Sequence, residues 1–157
     1  MLVEVKIGAL IMDPNTNTPI VVLKGVETET ILPIWVGAFE ANAIALEIEK
    51  VVPQRPMTHD LLRNLIVQSG FRSERVIITD LLDNTFYAII ELIDKNGEIV
   101  SLDARPSDAI ALALRLDCPI FAHQKVLDVS SASAQTENSF QTEETQQTNE
   151  DWPDFIG

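Results

Sequence analysis

Apolar and polar positions change rhythm along this chain in a way that separates strands from helices. "LIMDPNTNTPIVVL" (10–23) and "IITDLLDNTFYAII" (77–90) each show a β-rich run, a turn of Asp, Asn and Thr, and a second β-rich run. "ILPIWVG" (31–37) and "GEIVSLD" (97–103) read as strands that lead into "ANAIALEIE" (41–49) and "SDAIALALR" (107–115). Those last two stretches share Ala-Ile-Ala-Leu at a separation of 66 residues. Each half is therefore expected to form three strands followed by a helix, with a one-residue length difference in the turn. The second half is expected to end in an extra strand near "PIFAHQKVL". Between the halves, "RPMTHDLLRNLIVQSG" carries Leu61, Leu62, Leu65 and Ile66 at helical spacing, which predicts an amphipathic helix with one buried face. Thr58 is its expected N-cap, Asp60 suits the positive helix end, and Gly70 stops it. "KNG" (95–97) is a hairpin turn. The pattern as a whole predicts an α+β domain, with helices on a mixed or antiparallel sheet and an internal duplication of a βββα unit.

Composition changes that picture at one end. The chain has 157 residues, 46% of them apolar, enough for one domain with a real core. From Ser130 onward, Ser, Thr, Gln, Asn and Glu dominate, and such a segment cannot bury enough apolar surface to offset its ordering entropy. The expected division is a folded domain over 1–129 and a disordered, acidic, polar tail over 130–157. "DWPDFIG" ends that tail, and Trp152, Phe155 and Ile156 make it a candidate docking peptide for a protein partner.

The formal charge is −13, and the six tail acids from Glu137 to Asp154 account for part of it, leaving −7 for the domain. An acidic domain has poor non-specific affinity for nucleic acid unless its cations gather on one face. Lys50, Arg55, Arg63, Arg72 and Arg75 do gather in sequence, and they are the candidate nucleic-acid contacts, against the plainer reading of a solvated helix face. The single cysteine, Cys118, excludes an intrachain disulfide and is compatible with a reducing compartment. "MLVEVKIGAL" lacks the apolar region of a signal peptide, and no apolar run is long enough to cross a bilayer, so a cytoplasmic protein with no membrane association is expected.

Candidate chemistry centres on "DARPSDAIALALR". At the 66-residue offset Asp103 stands where the first half has Gly37, Arg105 where it has Phe39, and Asp108 where it has Asn42. The first half makes the same strand-to-helix turn without those charges, so the turn does not require them. Pro106 and Asp108 also suit a helix start, and Arg105 can pair with Asp108 three residues on. His59, beside Asp60, is a candidate acid, base or phosphate contact at the next helix start. Asp80 flanks a turn, and Glu40 is accounted for by the dipole of its helix. There is no Gly-rich phosphate loop, no nucleophile elbow and no Cys/His spacing for zinc. Any metal site has to be built from carboxylates, which suits Mg²⁺ or Mn²⁺. Aromatic residues do not interleave with the basic run, so a stacking platform is not expected.

Four stretches together, "LPIWVGAFEANAIAL", "RPMTHDLL", "VIITDLLDNTFYAII" and "LDARPSDAIALALR", resemble the bifunctional nuclease domain family of bacterial and plant proteins, described as having both DNase and RNase activity. The resemblance covers residues 2 to 129. It implies an α+β fold, a homodimer, and DNA and RNA as substrates. His59, Asp60, Asp80, Asp103, Arg105 and Asp108 all lie within its motifs. The simplest chemistry has Asp80, Asp103 and Asp108 holding Mg²⁺ or Mn²⁺, Arg105 stabilising transition-state charge, and His59 protonating the leaving oxygen. The rival expectation is a non-enzymatic dimeric binding or regulatory module whose acid–arginine cluster is a structural ion-pair network.

Overall fold

The computed structural model describes the backbone of residues 1–141 and side chains through residue 132. The elements are β1 (Leu2–Asp13), β2 (Thr18–Gly25), β3 (Ile31–Trp35), α1 (Ala38–Ile48), α2 (Thr58–Gln68), β4 (Arg72–Leu82), β5 (Thr85–Ile93), β6 (Ile99–Ala104), α3 (Pro106–Leu116), β7 (Ile120–His123) and α4 (Gln124–Gln141). The seven strands form one mixed sheet in the order β3-β2-β1-β7-β4-β5-β6. Every pairing is antiparallel except that of β4 with β7. This is the α+β architecture expected, and three strands followed by a helix occur in each half of the chain.

The turns follow local chemistry. Asp83 and Asn84 both adopt positive φ between β4 and β5, as the two central residues of a tight hairpin require. The matching turn of the first half is wider, Pro14–Asn17, because β1 stops at Asp13 whereas β4 runs on through Leu81 and Leu82. α2 ends in a Schellman motif, with Gly70 at φ +84° and Phe71 N–H donating to the Ile66 carbonyl at 3.1 Å. α1 ends the same way, yet Lys50, with a φ of 57°, occupies the left-handed position that glycine usually takes.

The core lies between the sheet and the helices. Val76, Ile78, Ala88, Ile90, Ile120 and Ala122 form one buried sheet face, on which α3 packs against β4 and β5 while α1 packs against β2. α3 is the central helix, buried at Ala109, Ile110, Ala111, Leu112 and Ala113, with α1 and α2 packed beside it. Its alanines permit that close approach. A larger side chain at Ala111, which is fully buried, has no space to enter, and Ala111→Leu is expected to destabilise the fold by roughly 1–3 kcal/mol. Urea denaturation checks this through a lowered midpoint at unchanged slope.

Three local expectations are revised. Thr58 does not cap α2. Met57 is the N-cap, and its amide donates to Asp60 Oδ2 at 2.9 Å, so the first-turn acid performs the capping. The apolar stripe of α2 is only partly covered, because the helix packs mainly on α3: Ile66 is buried, while Leu61 and Leu65 are 63% and 60% exposed. The last strand is short, since β7 ends at His123 and Gln124 starts α4, whose Val126 and Leu127 join the core. α4 then continues across residue 129 to Gln141, adding residues to an already nucleated helix. The C-terminal "DWPDFIG" and most of the polar tail lie outside the described residues.

Candidate functional site

Helix starts are where this fold concentrates its charge. β6 runs into α3 through Arg105, which is the N-cap of α3 with extended backbone, and Pro106 occupies the first turn where its missing N–H costs nothing. The first turns of α1 and α2 and the start of β5 approach the same place, and together they enclose a cleft of about 910 Å³.

Inside the cleft, Arg105 Nη2 donates to Glu40 Oε1 at 2.7 Å and to Asp108 Oδ2 at 3.0 Å, with its Nε adding a second bond to Asp108 at 3.1 Å. The other oxygen of Asp108 lies 2.9 Å from His59 Nε2. A continuous chain Glu40–Arg105–Asp108–His59 thus joins the starts of α1, α3 and α2. Glu40 and then Asp108 stabilise the charged guanidinium, so Arg105 is held protonated even more firmly than usual. His59 is mostly enclosed, its side chain 13% exposed, and Asp108 fixes the orientation of its ring.

Asp60 belongs to a different contact. Its Oδ2 accepts from the Met57 amide and its Oδ1 from Arg115 Nε, both at 2.9 Å. Burial works to raise the Asp60 pKa, but the Met57 amide and Arg115 outweigh it and hold the carboxyl below its ordinary range. Arg115 itself is 4% exposed and also donates to the carbonyls of Ala111 and Ala43 at 2.9 and 3.0 Å. It ties α1, α2 and α3 together directly behind the cleft, which it also helps to line.

The remaining candidates are dispersed. Asp103 borders the cleft on β6 in register with Ile89, but its neighbours Leu102 and Ala104 pair with the core residues Ile90 and Ala88. Strand alternation therefore directs its side chain to the opposite sheet face, where it is exposed and makes no ion pair among the described residues. Asp80 lies on β4, separated from β6 by β5, and binds Lys125 Nζ at 2.7 Å. That ammonium is the main reason its carboxyl titrates below the ordinary range. Among the described residues, no three His, Cys, Asp or Glu side chains are placed to hold a metal ion, so Asp80, Asp103 and Asp108 do not assemble into the carboxylate set expected from the sequence.

The basic run is likewise divided, and none of its five members lines the cleft. Lys50 and Arg55 follow α1, Arg63 lies on α2, and Arg72 and Arg75 lie on β4. Arg75 is bound to Glu91 at 2.7 Å and sits over the Phe121 ring. Sequence reasoning missed four residues around the cleft: Phe39, Glu40, Tyr87 and Arg115. Only the placement of α1 beside α3 brings Glu40 to Arg105, and no local pattern signals it.

The fold and cleft define a small α+β domain whose helix starts converge on a histidine, an arginine and two carboxylates. Residues 21–135 match the bifunctional nuclease domain, and the chain belongs to that family. An uncharacterized protein of Mycobacterium tuberculosis is 42% identical over 124 residues, covering 79% of this chain and 73% of that protein. Bifunctional nuclease 1 of Arabidopsis thaliana is 30% identical over 105 residues, covering 65% of this chain and 32% of the plant protein. Bifunctional nuclease 1 of Oryza sativa subsp. japonica is 26% identical over 101 residues, covering 63% and 30% respectively. The domain thus corresponds to about a third of each plant protein. No helix among the described residues is long and apolar enough to cross a membrane.

Proposed function

We propose that the cleft hydrolyses phosphodiester bonds of DNA and RNA. The observation that carries this reading is the Arg105–Asp108–His59 chain, enclosed in a cleft of a nuclease-family domain. Arg105 faces the non-bridging phosphate oxygens and stabilises the charge that builds up as a water oxygen attacks phosphorus. The P–O bond to the leaving nucleoside breaks and His59 delivers a proton to that oxygen, the attacking water gives up its own proton to solvent, and Asp108 holds the ring in place. Glu40 positions Arg105 from the side opposite Asp108.

The three-carboxylate set expected for Mg²⁺ or Mn²⁺ does not fit this placement, since Asp80 is engaged by Lys125 and Asp103 faces away from the cleft. No step of the scheme is therefore routed through a metal, and Asp108 is the one member of that set that would reach an ion there. A cytoplasmic, homodimeric protein is part of the same proposal. The uncovered Leu61 and Leu65 of α2 are the self-contact we would assign.

One observation favours the non-enzymatic reading. Arg105 and Asp108 are satisfied by partners within the chain, as a structural clasp between helices requires. Cleavage of single-stranded DNA, duplex DNA and RNA by purified protein decides between them. The assay runs in Mg²⁺, Mn²⁺ or EDTA beside an identically prepared Asp103→Asn/Asp108→Asn variant. Cleavage that the folded variant loses supports the nuclease; equal cleavage by both proteins, or none by either, leaves the clasp. Full activity in EDTA leaves no role for an ion at Asp108.

A further inference from the structure

We propose that the cleft takes unpaired nucleobases, and that Phe39 is the surface on which they stack. This rests on the reading of the cleft as a nucleic-acid site and adds which form of nucleic acid it accepts. Phe39 is 89% exposed in the first turn of α1, an extreme value for a phenylalanine, and it lines the same cleft as Glu40, Arg105 and His59. Tyr87 at the start of β5 borders the cleft, but alternation with Phe86 and Ala88 turns its side chain to the other sheet face. Met57, Leu62 and Leu102 complete an apolar rim around a polar centre. A wall of exposed apolar and aromatic side chains beside one arginine and one histidine matches a nucleotide, which presents a flat apolar base joined to a single anionic group.

The charge distribution selects the unpaired form. A duplex is held mainly by several cations tracking its phosphates, and duplex bases are stacked on one another and hidden from a side chain. Here Arg105 is already neutralised by Glu40 and Asp108, and none of the five cations in the basic run lines the cleft. On a chain of net charge −13, phosphate attraction is weak, so binding has to come from the base face. Stacking is available only where the base is unpaired. A second copy of the chain is the other possible occupant, but a concave cleft of 910 Å³ suits a small inserted group better than a flat self-contact.

The test is equilibrium binding of the full chain to three fluorescein-labelled, phosphorothioate-linked probes: a single strand, its duplex, and an abasic strand of equal length and charge. The single strand is expected to bind at least about tenfold more tightly than either of the others. Phe39→Ala is expected to weaken single-strand binding about tenfold and Phe39→Trp to retain it, while Tyr87→Ala, on the other sheet face, leaves it unchanged. Both positions are exposed, so the variants fold, which circular dichroism verifies. Equal affinity for the three probes, no binding to any, unchanged affinity in Phe39→Ala, or an equal loss in Tyr87→Ala overturns the proposal. So does a Phe39→Ala variant that changes only the sedimentation coefficient, which would assign the surface to self-association. Cleavage is scored separately on unmodified strands: a protein that binds unpaired strands as described without cutting them defeats the nuclease reading alone, and one that cuts and binds duplex and single strands alike defeats this proposal alone.

Discussion

Arg115→Ala is expected to cost about 3–5 kcal/mol of folding stability, more than any other single change considered for this chain. The side chain is 4% exposed, and its donors reach Asp60, the carbonyl of Ala111 and the carbonyl of Ala43, with Glu47 at 3.9 Å. Removing the guanidinium leaves a partly buried carboxylate without its cation and takes the second donor from a carbonyl of α1, breaking the direct link between the three helices. Arg115→Lys keeps the charge but not the planar fork, so it recovers only part of the loss. Denaturant unfolding measures both, and a loss below 1 kcal/mol for alanine means that the three-helix tie is ornamental. The same contact sets a pH signature. The Asp60 pKa is lowered from 3.8 in the folded state, so its contribution is present at pH above that ordinary value and is lost as pH falls through the lowered one. Arg115→Ala should reduce that part of the acid sensitivity, leaving the share that comes from the Met57 amide.

His59→Gln is expected to lower phosphodiester cleavage by about 10²–10⁴-fold while leaving the fold intact. Glutamine retains a hydrogen-bonding group for Asp108 but cannot deliver a proton to a leaving oxygen. Asp108→Asn should lose activity by the same route, because it releases both the imidazole and Arg105. Residues acting as one unit are not additive, so the His59→Gln/Asp108→Asn double variant should be about as impaired as the worse single one. Single-turnover rate constants on RNA and single-stranded DNA measure this. A His59→Gln enzyme at wild-type rate moves the acid to another group, and fully additive losses mean that the two side chains act independently.

Much of the fold is legible in the sequence because it is local. β-rich runs separated by Asp/Asn/Thr turns, and Ala-rich stretches after them, locate both hairpin turns, the strands β2, β3, β5 and β6 and the helices α1, α2 and α3 to within a few residues, while β1 and β4 begin well upstream of the runs that mark them. Charge contrast between the halves also picks out Arg105 and Asp108. What was not legible depends on non-local placement. Nothing within a few residues of Glu40 distinguishes a dipole-compensating acid from a partner of Arg105. Asp80 and Asp103 look alike as turn and strand-end carboxylates, yet Lys125 claims one and strand alternation turns the other outward. The stripe on α2 shows which residues are apolar, but how much of it is covered depends on which neighbours reach it, and α3 is the main one. Phe39 looks in sequence like any apolar residue of a helix start, and only its surroundings in space show that it is left uncovered beside the cleft.

The position of β7 has a consequence for how the chain assembles. It is the last strand in sequence and the middle strand in space, flanked by β1 and β4. Until residues 120–123 arrive, each half is a three-stranded meander with one inner edge of unpaired amides and carbonyls. The β1–β7 pairing then spans nearly the whole domain in sequence, from Leu2 to His123. Closing so long a loop is entropically slow, and open edges in the meantime are templates for pairing with other chains. A ribosome releasing this chain therefore exposes two sticky half-sheets before a four-residue strand joins them, which makes the refolding yield of the domain more sensitive to protein concentration than its size alone suggests.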